Sequence, residues 1–289
     1  MKDYLQKAYC MNQTVRIYAA ITTDICKEAK NIFNLWPSSL QALGRTLTIG
    51  AIMSCTYKSG EFLNIKLDCD GPVGKITVEA TDGKVRGFCQ NPGVLLQYND
   101  GRLNIEHAVG AGTIEVVKDL HMRAPFSSSC EIVSGDIAQD FTYYFAKSEQ
   151  IPSSVGLGVS IDDEGNVLSA GGFLIQVMPG CKEEYIKALE DRLNTMKPCT
   201  EMIKEGYNPE EIINEITGGD YQILETKELK YECSCNRERF EKGLISLGKD
   251  TLTDILNQDH KLEITCNFCN KKYTFDEAAL TKIADSINK

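Results

Sequence analysis

Cys233-Ser234-Cys235 and Cys266-Asn267-Phe268-Cys269, a CxC pair and a CxxC pair with thirty residues between them, decide how the last fifth of this chain folds. Each pair is held together by its own spacing, and one long excursion joins the two, so four soft sulfur donors can converge tetrahedrally on Zn2+. Each pair can equally close on itself as a disulfide. Two extended residues span roughly 6 to 7 Å, and a disulfide needs its Cα atoms about 4.4 to 6.8 Å apart. Cys233 and Cys235 therefore join only through a tight turn, and strained disulfides tend to be labile. The pair Cys266 and Cys269 has one more residue and is expected to oxidise first. A site that is either metal-bound or oxidised is a candidate redox switch.

Around these cysteines, residues 231–289 read as a small zinc-binding domain. Leu262 to Cys266 and Lys272 to Phe275 form a hairpin whose bend is the CxxC. Helices are expected at Arg237 to Leu247, at Asp250 to Asn257 with Asp250 as cap, and at Asp276 to Ile287. A domain this small buries a limited core and often needs a metal staple. With four thiolates filling the coordination sphere there is no open position for water, so a catalytic zinc and an enzyme are not expected. Two other readings stay open at this point. A nucleic-acid-binding zinc ribbon would show a basic face, but the segment has 9 Lys/Arg against 10 Asp/Glu. A thiol oxidoreductase would place its CxxC at the start of a helix in a βαβ context.

Upstream, residues 180–230 form an acidic helical linker, with 7 Lys/Arg and 12 Asp/Glu between 181 and 230. Helical patterns occupy Glu183 to Leu193, Glu201 to Glu205, and Pro209 through Ile216, the last with Pro209 at its first position and Gly218-Gly219 after it. Short helices with narrow apolar stripes are marginally stable unless docked. The segment is either a solvated connector or a piece that covers an apolar surface in one state and leaves it in another.

Residues 1–179 carry the strand signal. Thr14 to Thr22 is β-rich, and Thr22, Thr23 and Asp24 offer caps for a helix running toward Trp36, itself expected in the core. Pro37-Ser38-Ser39 reads as a turn and cap, and from there to about Tyr57 the apolar residues from Leu40 to Met53 suggest a buried helix interrupted softly by Gly44 and Gly50. Leu63 to Cys69 alternates. Ile76 to Ala80 and Val85 to Cys89 flank Asp82-Gly83, which suits a type I′ turn. Val155 to Ile161 and Val167 to Met178 make another hairpin, and Gly135 to Lys147 a short helix. With no strand-helix-strand repeat, the fold class is α+β, a mostly antiparallel sheet with packed helices.

The net charge of −10 disfavours nucleic acid and anionic lipid. No apolar run approaches the roughly 18 residues of a membrane span, and the start, Met1 to Tyr9, carries Lys2, Asp3 and Lys7 in place of an apolar run, so a cytoplasmic protein is expected. The other eight cysteines, at 10, 26, 55, 69, 89, 130, 181 and 199, stand alone and are expected to be thiols. Gly243 to Lys249 imitates a phosphate loop, but Asp250 replaces its Ser/Thr and no strand precedes it. His107, His121 and His260 are scattered and lack a hydrolase context.

The two cysteine motifs, with Cys-Asn-Arg-Glu-Arg-Phe after the first and Asn270 after the second, resemble the C-terminal signature of the heat shock protein 33 family of redox-regulated chaperones. So do Ala42-Leu43-Gly44-Arg45-Thr46, Gly71-Pro72-Val73-Gly74, Ser148-Glu149-Gln150-Ile151-Pro152-Ser153, and Ala170-Gly171-Gly172 through Gln176-Val177-Met178-Pro179-Gly180. The resemblance spans the chain. It implies an ATP-independent holdase, inactive when reduced and holding one Zn2+ per chain through Cys233, Cys235, Cys266 and Cys269. Oxidation to the disulfides Cys233–Cys235 and Cys266–Cys269 then releases zinc, unfolds the small domain, loosens the linker and exposes apolar surface to unfolding client proteins under oxidative stress. It further implies a homodimer when oxidised and no catalytic residues. The client-binding residues, and any part played by Cys181 and Cys199, are not given by it.

Overall fold

The structure, a computed structural model, describes residues 2–287, with the backbone alone at residues 250 and 257–259. The chain forms two compact units, Met1–Glu232 and Cys233–Lys289. Among the described residues no helix is long and apolar enough to cross a membrane.

The first unit opens with hairpin β1 (Tyr4–Cys10) and β2 (Val15–Ile21), then helices α1 (Thr23–Phe33) and α2 (Pro37–Ser54). Strands β3 (Phe62–Cys69), β4 (Ile76–Thr81) and β5 (Lys84–Cys89) follow, then the short helix α3 (Ile105–Val109), and β6 (Gly112–Asp119) and β7 (Phe126–Ile132). Helix α4 (Ile137–Tyr144) runs into a π-helical turn, Phe145–Glu149, before β8 (Ser153–Ile161) and β9 (Val167–Val177). Helices α5 (Glu183–Thr195), α6 (Cys199–Lys204) and α7 (Pro209–Thr217) lead to β10 (Tyr221–Glu228) and the two-residue β11 (Lys230–Tyr231).

The α+β class holds, with two sheets in this unit. One has the order β10-β1-β2-β9-β8 and the other β11-β5-β4-β3-β6-β7. Every pairing is antiparallel except that of β11 with β5. The turn between β4 and β5 has Asp82 and Gly83 both at positive φ, 50° and 77°, as a type I′ hairpin requires.

Helix α2 is buried on nearly every side and touches strands of both sheets. It runs unbroken through Gly44 and Gly50. Its Leu40, Leu43 and Leu47 join Leu5, Tyr18 and Ala20 of one sheet and Ile65, Val78 and Val85 of the other in a single core. Strand period does the sorting. In β2, Tyr18 and Ala20 point to this core, whereas Val15, Ile17 and Ala19 point to the opposite face of the same sheet.

That opposite face is covered. Ala8, Cys10, Val15, Ile17, Ala19, Phe173 and Ile175 pack against Leu189, Cys199, Met202, Ile212, Ile213 and Ile216 of α5–α7. Gly171 lets the layers approach, since a Cβ there would stand 2.4 Å from the Ala20 carbonyl oxygen and 2.5 Å from Ile203 Cδ1. Helix α7 is closed at both ends, by a capping box between Asn208 and Glu211 and by left-handed Gly218. The short acidic helices are thus docked, and their narrow stripes meet a sheet face that needs cover.

Two expectations fail. Trp36 is 52% exposed, not a core residue, because the start of α2 is anchored by backbone, Trp36 N–H donating to the Pro92 carbonyl at 2.9 Å. Thr22 makes no side-chain cap on α1; the Asp3 carboxylate does, reaching from the segment before β1.

The second unit contains α8 (Arg237–Ser246), α9 (Lys249–Asp259), the hairpin β12 (Lys261–Thr265) and β13 (Lys272–Asp276), and α10 (Glu277–Ser286). Helix α9 begins just after Gly248, and the side chain of Asp250, expected as its cap, lies outside the described residues. The phosphate-loop imitation at Gly243 to Lys249 spans the end of α8 and the start of α9, not a strand-to-helix turn. The core is modest: Leu244, Leu252, Tyr273, Phe275, Leu280 and Ile283.

Candidate metal centre

The β12–β13 register pairs Thr265 with Lys272, so Cys266 begins the bend directly after the last rung. Cys266 N–H donates to the Lys271 carbonyl at 2.9 Å, and Asn270 N–H returns to the Cys266 carbonyl at 2.9 Å. Asn270 holds the left-handed φ of 55° that closes this knuckle. The CxxC therefore occupies a hairpin bend and not the first turn of a helix, which removes the setting an oxidoreductase motif needs.

Cys233 and Cys235 lie on the extended approach to α8, whose Asn236 cap accepts from Arg239 N–H at 2.8 Å. Arg237 stacks its guanidinium 4.3 Å from the Phe275 ring centre and donates to the Thr274 carbonyl at 2.8 Å, which fixes the start of α8 against β13. The two motifs consequently face each other. Cys233 Sγ is 3.7 Å from Cys266 Sγ, and Cys235 Sγ is 3.4 Å from Cys269 Sγ. All four sulfurs lie within 4.8 Å of one another.

These distances suit a metal. A regular tetrahedron with metal–sulfur bonds of about 2.3 Å has sulfur–sulfur edges of about 3.8 Å. None of the four is in a disulfide. Cys266 is buried, whereas Cys233, Cys235 and Cys269 are half-buried, so the cluster combines rigidity with access.

The ionisation of the set points the same way. For Cys235 burial works against the thiolate, but hydrogen bonds from the Tyr273 hydroxyl and the neighbouring thiols outweigh it and bring the group down to about 7. Burial pushes the Cys266 thiol up, and burial together with its neighbouring sulfurs does the same to Cys269. One sulfur loses its proton readily and the next resist, as like charges in one site must. A divalent cation removes that resistance. Tyr273 is part of the arrangement: its hydroxyl is 3.1 Å from both the Cys235 sulfur and the Cys235 carbonyl oxygen.

The sequence had no signal for the covered sheet face of the first unit, because its strands look equally apolar on both sides. Cys181 and Cys199 belong to that cluster, together with Cys10.

Comparison with known proteins agrees with this architecture. The family model described as Hsp33 protein matches residues 3–276. The 33 kDa chaperonin of Bacillus pumilus is 42% identical over 290 residues, covering 99% of this chain and 100% of the relative. That of Bacillus subtilis is 41% identical with the same coverage. The crystal structure of the 33 kDa chaperonin (heat shock protein 33 homolog) from Thermotoga maritima superposes with a TM-score of 0.92 at 30% identity, over 100% of both chains.

Proposed function

The chain belongs to the Hsp33 family of chaperones, and from that premise we propose that it is an ATP-independent holdase switched by the redox state of Cys233, Cys235, Cys266 and Cys269. The observation that carries this reading is the sulfur quartet at tetrahedral spacing in a unit with little other core.

In the resting state the four sulfurs hold one Zn2+, the cation that soft thiolate sets of this geometry favour. Zinc bound there supplies roughly 10 to 16 kcal/mol of apparent binding free energy, which in so small a unit is folding free energy. Peroxide then oxidises Cys233 with Cys235 and Cys266 with Cys269. Four thiolates give up one electron each and two S–S bonds form, while two peroxides take up those electrons and four protons from solvent to become four waters, leaving the Zn2+ without ligands. The chain no longer offers thiolates to a metal, and residues 233–287 lose their order.

From Cys233 the chain leads back through β11 and β10 to the covering helices α5–α7. These are the marginal elements of the first unit, short and acidic, and they act as the linker of the switch. When they lift, Val15, Ile17, Ala19, Phe173 and Ile175 become an apolar surface for unfolding client proteins. The oxidised form associates as a homodimer by the same exposed surface. A cytoplasmic location belongs to this reading, since a resting state with none of its twelve cysteines in a disulfide needs a reducing compartment.

Light scattering of a heat-unfolded client tests it. The peroxide-treated protein at mild heat is expected to suppress aggregation, and the reduced, zinc-loaded protein to do so weakly. Equal activity in the two states overturns the switch.

A further inference from the structure

Cys10 ends β1 on the covered face of the sheet, and Cys199 begins α6 on the inner side of the cover. Both are buried in the apolar cluster that joins the two layers, and Cys181 packs at its edge. Neither thiol contributes to the sulfur quartet. Cys26, by contrast, lies on the buried face of α1, toward α2, in the main core.

We propose that Cys10 and Cys199 are a second, concealed oxidation site: peroxide and a low-molecular-weight thiol modify them only after α5–α7 have left the sheet, and the adduct keeps the helices from returning. This deepens the function proposed above and rests on it for the event that lifts the helices.

Two properties close the site. The first is access, with Cys10 at 3% and Cys199 at 8% exposure. A cavity of about 370 Å³ lined by Phe173, Leu193, Met196 and Cys199 does bring small molecules near the second thiol. There the other property acts. Burial pushes Cys199 up to about 12, and burial with the charge of Asp220 does the same to Cys10. The thiolate is the nucleophile, so release from burial, which lets the thiol return toward its ordinary value, raises the reactive fraction at neutral pH steeply.

The thiolate sulfur attacks one peroxide oxygen, the O–O bond breaks, and the leaving hydroxide takes up a proton, giving Cys–SOH and water. A thiol RSH such as glutathione then displaces that hydroxyl as a second water, and Cys–S–S–R forms. Sulfur is oxidised and peroxide reduced. The added group stands where Ile17, Phe173 and Met202 pack, so the layers cannot close on it until it is reduced.

Brief maleimide labelling of the full chain, read by peptide mass, tests the gate. In the reduced, zinc-loaded protein Cys10 and Cys199 are expected to label as slowly as Cys26. Ile212→Asp, or Ile213→Ala if the first does not fold, should loosen α7 with the zinc retained and speed both thiols by about a hundredfold or more, leaving Cys26 slow. If residues 181–217 become protease-sensitive in these variants while Cys10 and Cys199 stay slow, the proposal is overturned. If the variants open both thiols but peroxide empties the zinc site of the wild type without opening them, the concealed site stands and the proposed coupling to zinc falls. Cys199→Gln mimics an adduct and should raise protease sensitivity of 181–217 at least tenfold with zinc in place, which Cys199→Ala should not. An unchanged Cys199→Gln protein overturns the claim that the adduct blocks closure.

Discussion

Asp3 caps the helix that begins twenty residues later: its carboxylate accepts from Ile25 N–H at 2.7 Å and from Asp24 N–H at 3.1 Å. Burial outweighs these bonds and raises the carboxyl from its ordinary 3.8 to about 6. The folded state therefore holds the proton more tightly than the unfolded one. The stability this contributes is full below the unfolded value and is lost as pH rises through 6. Asp3→Asn abolishes that dependence. The stability difference between wild type and variant should shrink by on the order of 2 kcal/mol between about pH 4.5 and about pH 7.5. Urea unfolding at both values checks it, and a constant difference refutes the assignment.

Cys266 is the most buried of the sulfur quartet and also opens the knuckle. Cys266→Ser should lose zinc without any oxidant and loosen residues 233–287, with the first unit intact. Metal analysis and hydrogen exchange give the answer together. Full zinc content would remove Cys266 from the ligand set.

Chelation of the reduced wild type should have the same local effect. The core of the second unit is too modest to replace the roughly 10 to 16 kcal/mol that a structural zinc supplies. Amides of β12, β13 and α10 are expected to exchange freely, while those of β2 and α2 stay protected. A zinc-free unit that remains protected contradicts this.

Tyr273→Phe deletes the hydroxyl that meets both the sulfur and the carbonyl of Cys235. Partners behind the ligands typically govern about 10- to 100-fold in metal affinity. A competition titration with a chromophoric chelator should find the variant weaker by about that factor, without loss of fold when zinc is saturating. Equal affinity would make Tyr273 a packing residue only.

Legibility in the sequence followed the strength of local chemistry. The sulfur quartet could be read because metal ligation demands a donor type and a spacing at once, and the β4–β5 turn because Asp82-Gly83 suits left-handed backbone. Strand β1 was masked by its charges, and β6, β7 and β10 were not anticipated. Strands β7 and β10 are edges with mostly exposed or half-exposed side chains, held by backbone pairing that leaves no alternation to read. The stripes on α5–α7 were visible, but a stripe does not say whether it is docked. That answer lies in β2 and β9, whose paired residues are 150 to 162 positions apart in sequence and neighbours in the sheet. The capping of α1 by Asp3 is likewise a contact that only the tertiary fold creates.

Helix α2 has a sheet on either side and almost no free surface. It works as an axle: neither sheet can peel away without stripping it bare, so the middle of the first unit yields all at once or not at all. Any graded response must be confined to what is hung on the outside. Under the proposed switch, the outer pieces lift and are laid back down while this chassis stays unchanged.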